Sequence, residues 1–266
     1  MPIIPVADPD DPRIAGYRDI RERDLVGRQG RFIAEGEVVL RVLLGKSPFQ
    51  VESCFIAEPR LASLEALFES RPDVPIYVAP QMVMNGIAGF AVHRGIMAIG
   101  CRPAKTSLDD FLAKLPEQAL VVVCCGIANH DNMGGIFRNA AAFGADAVLI
   151  DAASCDPLYR KAIRVSVGGA LRVPFHRGAS DSAIVEALAA RGFTQFALSP
   201  AGTCDLSEAR LMPRTALYLG AEGPGLPDHI LRKTETLSIP MSGGFDSINV
   251  ATTCGIALYH LRHGSV

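Results

Sequence analysis

The chain has 266 residues, 49% of them hydrophobic and 20% charged, with a formal net charge of −2 and a pI near 6.3. That length allows one large or two modest domains around an ample core. The near-neutral charge excludes a protein that coats nucleic acid indiscriminately, because that mode relies on neutralising many phosphates.

Between Arg13 and Arg31 six arginines stand against Asp19, Glu22 and Asp24, a local surplus of three positive charges (6 − 3). The segment reads either as a solvated amphipathic helix with internal ion pairs or as an RNA-facing patch. From Gly30, RFIAEGEVVLRVLLG reads as a short strand entering a helix whose buried stripe is Val38, Val39, Val42 and Leu43. VESCFIA and PIYVAP read as strands separated by a helix around Leu61 to Phe68, and AVHRGIMAIGC closes with another strand. This alternation predicts a small α/β unit of about ninety residues. The polar, Pro-containing stretch from Arg102 to Asp110 is the candidate linker, dividing the chain into 1–104 and 105–266.

The second unit opens with ALVVVCCGI, Ala119 to Ile127, whose unbroken apolar character suits a central parallel strand covered on both faces. ANHDNMGG then reads as a loop, IFRNAAAFG as a helix and AVLID as a strand. Arg138 falls near the first turn of that helix, where the dipole opposes a cation, so it is expected to serve an external anion or a carboxylate. A helix through Ile184 to Ala189 and a strand in QFALSPAG continue the alternation, which points to a parallel sheet with ligands beyond the strands' carboxyl ends.

Ala216 to Leu219 and Leu237 to Ile239 read as buried strands that each deliver a loop. The first loop, Gly220 to Leu226, carries three glycines around the lone acid Glu222, which lets backbone approach a ligand closely. The second, Met241 to Ser247, opens a helix with Val250, Cys254, Ala257, Leu258 and Leu261 on one face. Ser247 and Asn249 stand at its start, either to cap it or to turn toward a ligand. Ser199, Glu222 and Ser247 all follow strand ends and are expected around one rim.

Neither loop matches a phosphate cradle of the form G-x-x-x-x-G-K-[ST] or G-x-G-x-x-G, so a small neutral or cationic cofactor held by backbone fits better. The seven cysteines are scattered without C-x-x-C and the six histidines without H-E-x-x-H, so no disulfide framework and no metal requirement are expected. No apolar run approaches a membrane span, and MPIIPVADPDDP lacks the parts of a signal peptide, so a cytoplasmic location without membrane attachment is expected.

Three blocks, NMGGIFRNAAAFGADAVLI from Asn132, LYLGAEGPGLP from Leu217 and SIPMSGGFDSINVATTCGIAL from Ser238, resemble in order and spacing the SpoU/TrmH branch of the SPOUT RNA methyltransferases. RFIAEGEVVLRVLL and FAVHRGIMAIG are similar to the ribosomal-protein-like RNA-binding domain often fused ahead of that catalytic domain. Ala221 stands where the family often has Asn, and Ile248 where Leu is common. The resemblance implies an N-terminal RNA-binding unit over 1–104 and a C-terminal α/β unit over 105–266 tied in a deep trefoil knot, with the chain acting as a homodimer. It implies methyl transfer from S-adenosylmethionine to a ribose 2′-hydroxyl of RNA, rRNA before tRNA, and not of DNA.

At residue level it implies that Arg138 activates the hydroxyl, with Asn132, Glu222, Ser247 and Asn249 orienting it and the ribose. Backbone at Leu219, Gly220, Ile239 and Met241, together with Ile248 and Ser199, would hold the cofactor. Arg18, Arg21, Arg28, His93 and Arg94 are expected to meet RNA phosphates. The competing expectations are a non-catalytic RNA-binding protein on the same fold and methylation of a base nitrogen. A hydrolase using Ser247 lacks both a His and Asp partner and a G-x-S-x-G elbow.

Overall fold

Unbroken apolar runs become central strands here, and the glycines between them mark where elements approach closely. The computed structural model describes residues 3–18, 22–88, 95–244 and 247–264. In the N-terminal part the elements are β1 (Ile3–Pro5), α1 (Glu22–Gly27), β2 (Arg31–Glu35), α2 (Glu37–Gly45), β3 (Gln50–Ala57), α3 (Glu65–Glu69), β4 (Ile76–Ala79), α4 (Gln81–Ala88) and β5 (Ile96–Cys101). They form a five-stranded sheet in the order β1-β4-β3-β5-β2, with β4 parallel to β1 and β3, and β5 antiparallel to β3 and β2. The buried Tyr17 hydroxyl is satisfied by the Ser53 carbonyl at 3.0 Å and lies 2.8 Å from the Ser53 hydroxyl. Along α2 the buried stripe is Val39, Leu40, Leu43 and Leu44. Val38, expected in that stripe, is 50% exposed, because the helix starts at Glu37 and turns its second residue outward.

The rest of the chain forms α5 (Leu108–Leu112), β6 (Ala119–Cys124), α6 (His130–Ala142), β7 (Ala147–Asp151), α7 (Arg160–Val165), β8 (Phe175–Ala179), α8 (Asp181–Ala189), β9 (Thr194–Leu198), β10 (Cys204–Asp205), β11 (Arg214–Leu219), α9 (Asp228–Leu231), β12 (Glu235–Ser238) and α10 (Val250–His263). Seven of these strands make one sheet, β10-β12-β9-β11-β6-β7-β8, every pair parallel. The α/β class and the parallel second sheet expected from the alternation are both present. All six residues of β6 are buried, as a strand covered on both faces requires. Tyr218 is fully buried on β11, and its hydroxyl donates to Gln195 Oε1 at 2.5 Å, which meets the cost of burying a polar group.

Two further features differ from the sequence expectation. The helix over the first block begins at His130 rather than after Gly135, capped by Asn129, whose side chain accepts from the Asp131 amide. Both glycines are helical, and at Gly135 α6 packs closely on α10: a Cβ there would lie 2.6 Å from that of Ala251. Asn139 strengthens the same contact by donating to the Ala251 carbonyl at 2.6 Å. The chain also packs as two units of which the first is 1–104 together with 158–172, and the second 105–157 with 173–266. The segment Leu158–Arg172, counted in sequence with the second unit, therefore belongs spatially to the first. Arg160 of α7 pairs there with Glu35 of β2 at 3.5 Å.

Candidate active site

Three adjacent parallel strands, β12, β9 and β11, end on one side of the sheet. Because parallel strands deliver their following residues to the same edge, Ser199, Gly220 and Ile239 become neighbours although they are widely spaced in sequence. The loop after β11 doubles back so tightly that a Cβ on Gly220 would lie 2.4 Å from the Gly225 carbonyl carbon. The Gly225 amide donates to the Ala221 carbonyl at 3.0 Å and closes the turn, with Glu222 at its tip. The entry to α10 supplies Ser247, Ile248 and Asn249.

These segments enclose a cavity of about 740 Å³, inside the ~300–1,000 Å³ range usual for small-molecule sites. Ser199, Leu219, Gly220, Ile239, Met241 and Ile248, the six residues expected to hold a cofactor, all line it, as do Glu222, Ser247 and Asn249. Among the described lining residues there is one carboxylate, Glu222, and no lysine, arginine or histidine. Leu219, Leu226, Leu237 and Ile239 supply the cavity's apolar lining, while Glu222 is exposed on the turn. Such a site repels phosphates and accommodates a cation with an apolar body.

Asn249 links the parts of the site. Its Oδ1 caps α10 by accepting from the amides of Ala251 at 2.9 Å and Thr252 at 3.3 Å. Its Nδ2 donates to Asn132 Oδ1 at 2.8 Å and to Glu222 Oε1 at 3.3 Å. The sequence left capping and ligand-facing roles open for Asn249; the side chain is large enough to cap with one atom and face the site with the other. Asn132 is only 5% exposed. Its helix start is held from below by Asp151, which accepts from the Gly126 amide at 3.0 Å and the Ser154 amide at 2.7 Å, while the Ser154 hydroxyl accepts from the Ile127 amide at 2.8 Å.

Arg138 stands apart from this group. It is exposed, does not line the cavity, and is the ninth residue of α6, in the third turn. Arg138 therefore lies beyond the first turn where it was expected, out of reach of the helix dipole, whose field is confined to the terminal turn. Of the residues expected to meet RNA, Arg18 reaches Asp10 at 3.4 Å and the Asp11 carbonyl at 3.0 Å, and Arg28 is exposed. Arg21, His93 and Arg94 lie outside the described residues. Sequence reasoning missed Val250 and Thr253, which also line the cavity; Thr253 follows Asn249 by one helical turn, and that spacing was the available signal.

A parallel α/β unit with a cavity beyond its strand ends defines the class: an open-sheet domain with a small-molecule-sized cavity at the edge of its sheet. A model of the SpoU rRNA Methylase family matches residues 119–259. An uncharacterised tRNA/rRNA methyltransferase of Mycobacterium bovis is 40% identical over 263 residues, 96% of this chain and 90% of that protein. A 23S rRNA (guanosine-2′-O-)-methyltransferase of Vibrio cholerae is 31% identical over 195 residues, 71% of this chain and 78% of that one. A crystal structure of an RNA 2′-O ribose methyltransferase superposes with a TM-score of 0.76 at 26% identity, covering 96% of this chain and 97% of the other. The chain belongs to the SpoU rRNA methylase family.

Proposed function

We propose that this protein methylates a ribose 2′-hydroxyl of RNA, ribosomal before transfer RNA, using S-adenosylmethionine held in the cavity beyond β9, β11 and β12. The observation that carries the reading is the hydrogen-bonded chain Asn132–Asn249–Glu222, which ties three separate segments at the cavity. It sits in a family of RNA methylases, and a relative at 31% identity bears the name of a 2′-O-methyltransferase of 23S rRNA.

When bound, S-adenosylmethionine supplies an electrophilic methyl group on a positively charged sulfur. The apolar wall suits its adenine, and the backbone of Leu219, Gly220, Ile239 and Met241, with Ser199 and Ile248 beside them, suits its polar edges. Glu222 balances its charge. A ribose hydroxyl is a poor nucleophile until negative charge on its oxygen is stabilised, and orientation supplies much of the remaining advantage. Arg138 fills the electrostatic role, because a guanidinium does not give up its proton. Asn132, Glu222, Ser247 and Asn249 orient the ribose.

Arg138 would act at the cavity of a second copy of the chain. In support, α10 leaves Ile256 41% and Tyr259 58% exposed, an apolar face suited to a homodimer. The reading includes an RNA-binding role for 1–104, a catalytic role for 105–266 with its C-terminal stretch in a trefoil knot, RNA contacts through Arg18, Arg21, Arg28, His93 and Arg94, and a cytoplasmic location. Among the described residues no helix is long and apolar enough to cross a membrane.

Purified protein is expected to transfer label from methyl-tritiated S-adenosylmethionine to protein-free 23S rRNA, at one ribose that becomes resistant to alkaline cleavage. Arg138→Ala should abolish transfer and leave calorimetric cofactor binding unchanged. Cofactor binding without transfer to rRNA or tRNA would favour a non-catalytic RNA-binding protein and refute the proposal.

A further inference from the structure

Residues 157–180 contain no Asp or Glu, in a chain whose acids outnumber its lysines and arginines. Within them, 158–172 carry Arg160, Lys161, Arg164 and Arg172, a local charge of +4, which leaves −6 on the other 251 residues (−2 − 4 = −6). This is the segment that packs with 1–104. Its inner side is apolar: Leu158, Ala162, Ile163, Ala170 and Leu171 are fully buried. Arg160 pairs with Glu35, whereas Lys161, Arg164 and Arg172 are exposed. Neither Arg164 nor Arg172 has an ion-pair partner among the described residues.

Between the two arginines lies Val167, with φ of 54°, the one non-glycine with positive φ among the described residues. A β-branched side chain is strained there, and the helix end it occupies normally takes Gly. The turn is fixed from below: the Ser166 hydroxyl donates to the Ile163 carbonyl at 2.8 Å and accepts from the Ala170 amide at 3.2 Å, and the Gly168 amide donates to the Ile163 carbonyl at 3.1 Å. Gly168 packs so closely on Val42 that a Cβ would lie 3.0 Å away. The strained residue is thus held 38% exposed, among cations. Strain that persists on a rigid base marks ligand-contact positions.

We propose that the outer side of residues 158–172 is an RNA contact surface, in which Arg164 and Arg172 neutralise phosphates and Val167 packs against an unstacked nucleotide. Single-stranded RNA presents both the charge and the apolar base face that such a surface fits. The proposal rests on the function proposed above and adds residues outside the catalytic machinery. It requires no contact with the cavity.

The test is filter binding of protein-free 23S rRNA across 50–200 mM salt, with calorimetry of S-adenosylmethionine on each variant. Two lost phosphate contacts at ~0.7 counterions each predict that Arg164→Ala with Arg172→Ala weakens RNA binding roughly 25-fold near 0.1 M salt and flattens the salt slope by about 1.4. Cofactor affinity should not move. Val167→Gly should raise the unfolding temperature by removing strain, yet lower RNA affinity. Unchanged RNA affinity in either variant overturns the surface, as does an equal loss of cofactor affinity. Equal losses toward polyglutamate would mark a general polyanion surface and overturn the assignment to RNA. If the parent protein shows no salt-dependent RNA binding, the function proposed above fails with it, whereas parent binding with unaffected variants sinks this surface alone.

Discussion

Replacing Asn249 separates two jobs performed by one side chain. Its Oδ1 caps α10 and its Nδ2 bonds the buried Asn132 at 2.8 Å. Losing an N-cap costs about 1 kcal/mol, and losing the bond to the buried Asn132 carbonyl costs about another 1 kcal/mol. Asn249→Ala should therefore lower unfolding free energy by about 2 kcal/mol. Asn249→Ser keeps a capping oxygen but is too short to reach Asn132, so its loss should be about 1 kcal/mol. Asn249→Asp keeps the cap but sets a carboxylate against Asn132 Oδ1 and the Glu222 carboxylate, 3.3 Å from the original nitrogen. Like charges raise each other's pKa, so this penalty should vanish in acid, where the introduced group is protonated, and grow as pH rises through the carboxylate range. Urea unfolding of the three variants at pH 7 and again near pH 4 measures all of this, with methyl transfer as a second readout. If Asn249→Ser is as stable as the parent and as active, the bridge to Asn132 contributes nothing and the site argument collapses.

Gly220→Ala would place its Cβ 2.4 Å from the Gly225 backbone, so the loop must open; we expect about 1–3 kcal/mol of destabilisation and loss of calorimetric cofactor binding, and retained binding would refute the close-approach argument. Deleting 1–104 should give an aggregating fragment rather than an independent enzyme, because it uncovers Leu158, Ile163 and Leu171, all fully buried now, each worth about 1.5–3 kcal/mol; a monodisperse fragment by size-exclusion chromatography would contradict this. Burial holds His176 below its usual value of 6.5, partly offset by a bond involving Thr106. A depressed folded pKa means that its contribution to stability is present above 6.5 and is lost as pH falls through the depressed value, since the unfolded chain then binds more protons. His176→Gln should flatten the acid side of the stability profile, and identical profiles would dispose of the assignment.

What the sequence disclosed and what it hid divide along a physical line. β6, β11 and the stripe on α10 were legible because burial on both faces, or on one helical face, writes itself into local hydrophobic pattern. The cavity residues were legible for a related reason: Ser199, Gly220 and Ile239 each follow an apolar strand, and a parallel sheet carries strand ends to one edge. The start of α6 was hidden because Gly134 and Gly135 carry a poor helix propensity, which the Asn129 cap and the close packing of Gly135 on Ala251 override. Val38 was misplaced because a stripe of four apolar residues does not fix where the first turn begins.

The packing of 158–172 with the first unit was the deepest omission, and no local pattern contains it. Its apolar residues look the same whether they bury against their own sheet or against β2. What distinguishes the segment is its charge, four cations and no acid in a chain that is otherwise acidic, with Lys161, Arg164 and Arg172 exposed. Apolar spacing records that a face is covered without saying by what, whereas the exposed Arg164 and Arg172 mark a face that the described residues leave open. The RNA surface proposed here therefore lies in a stretch whose hydrophobic pattern says nothing about RNA.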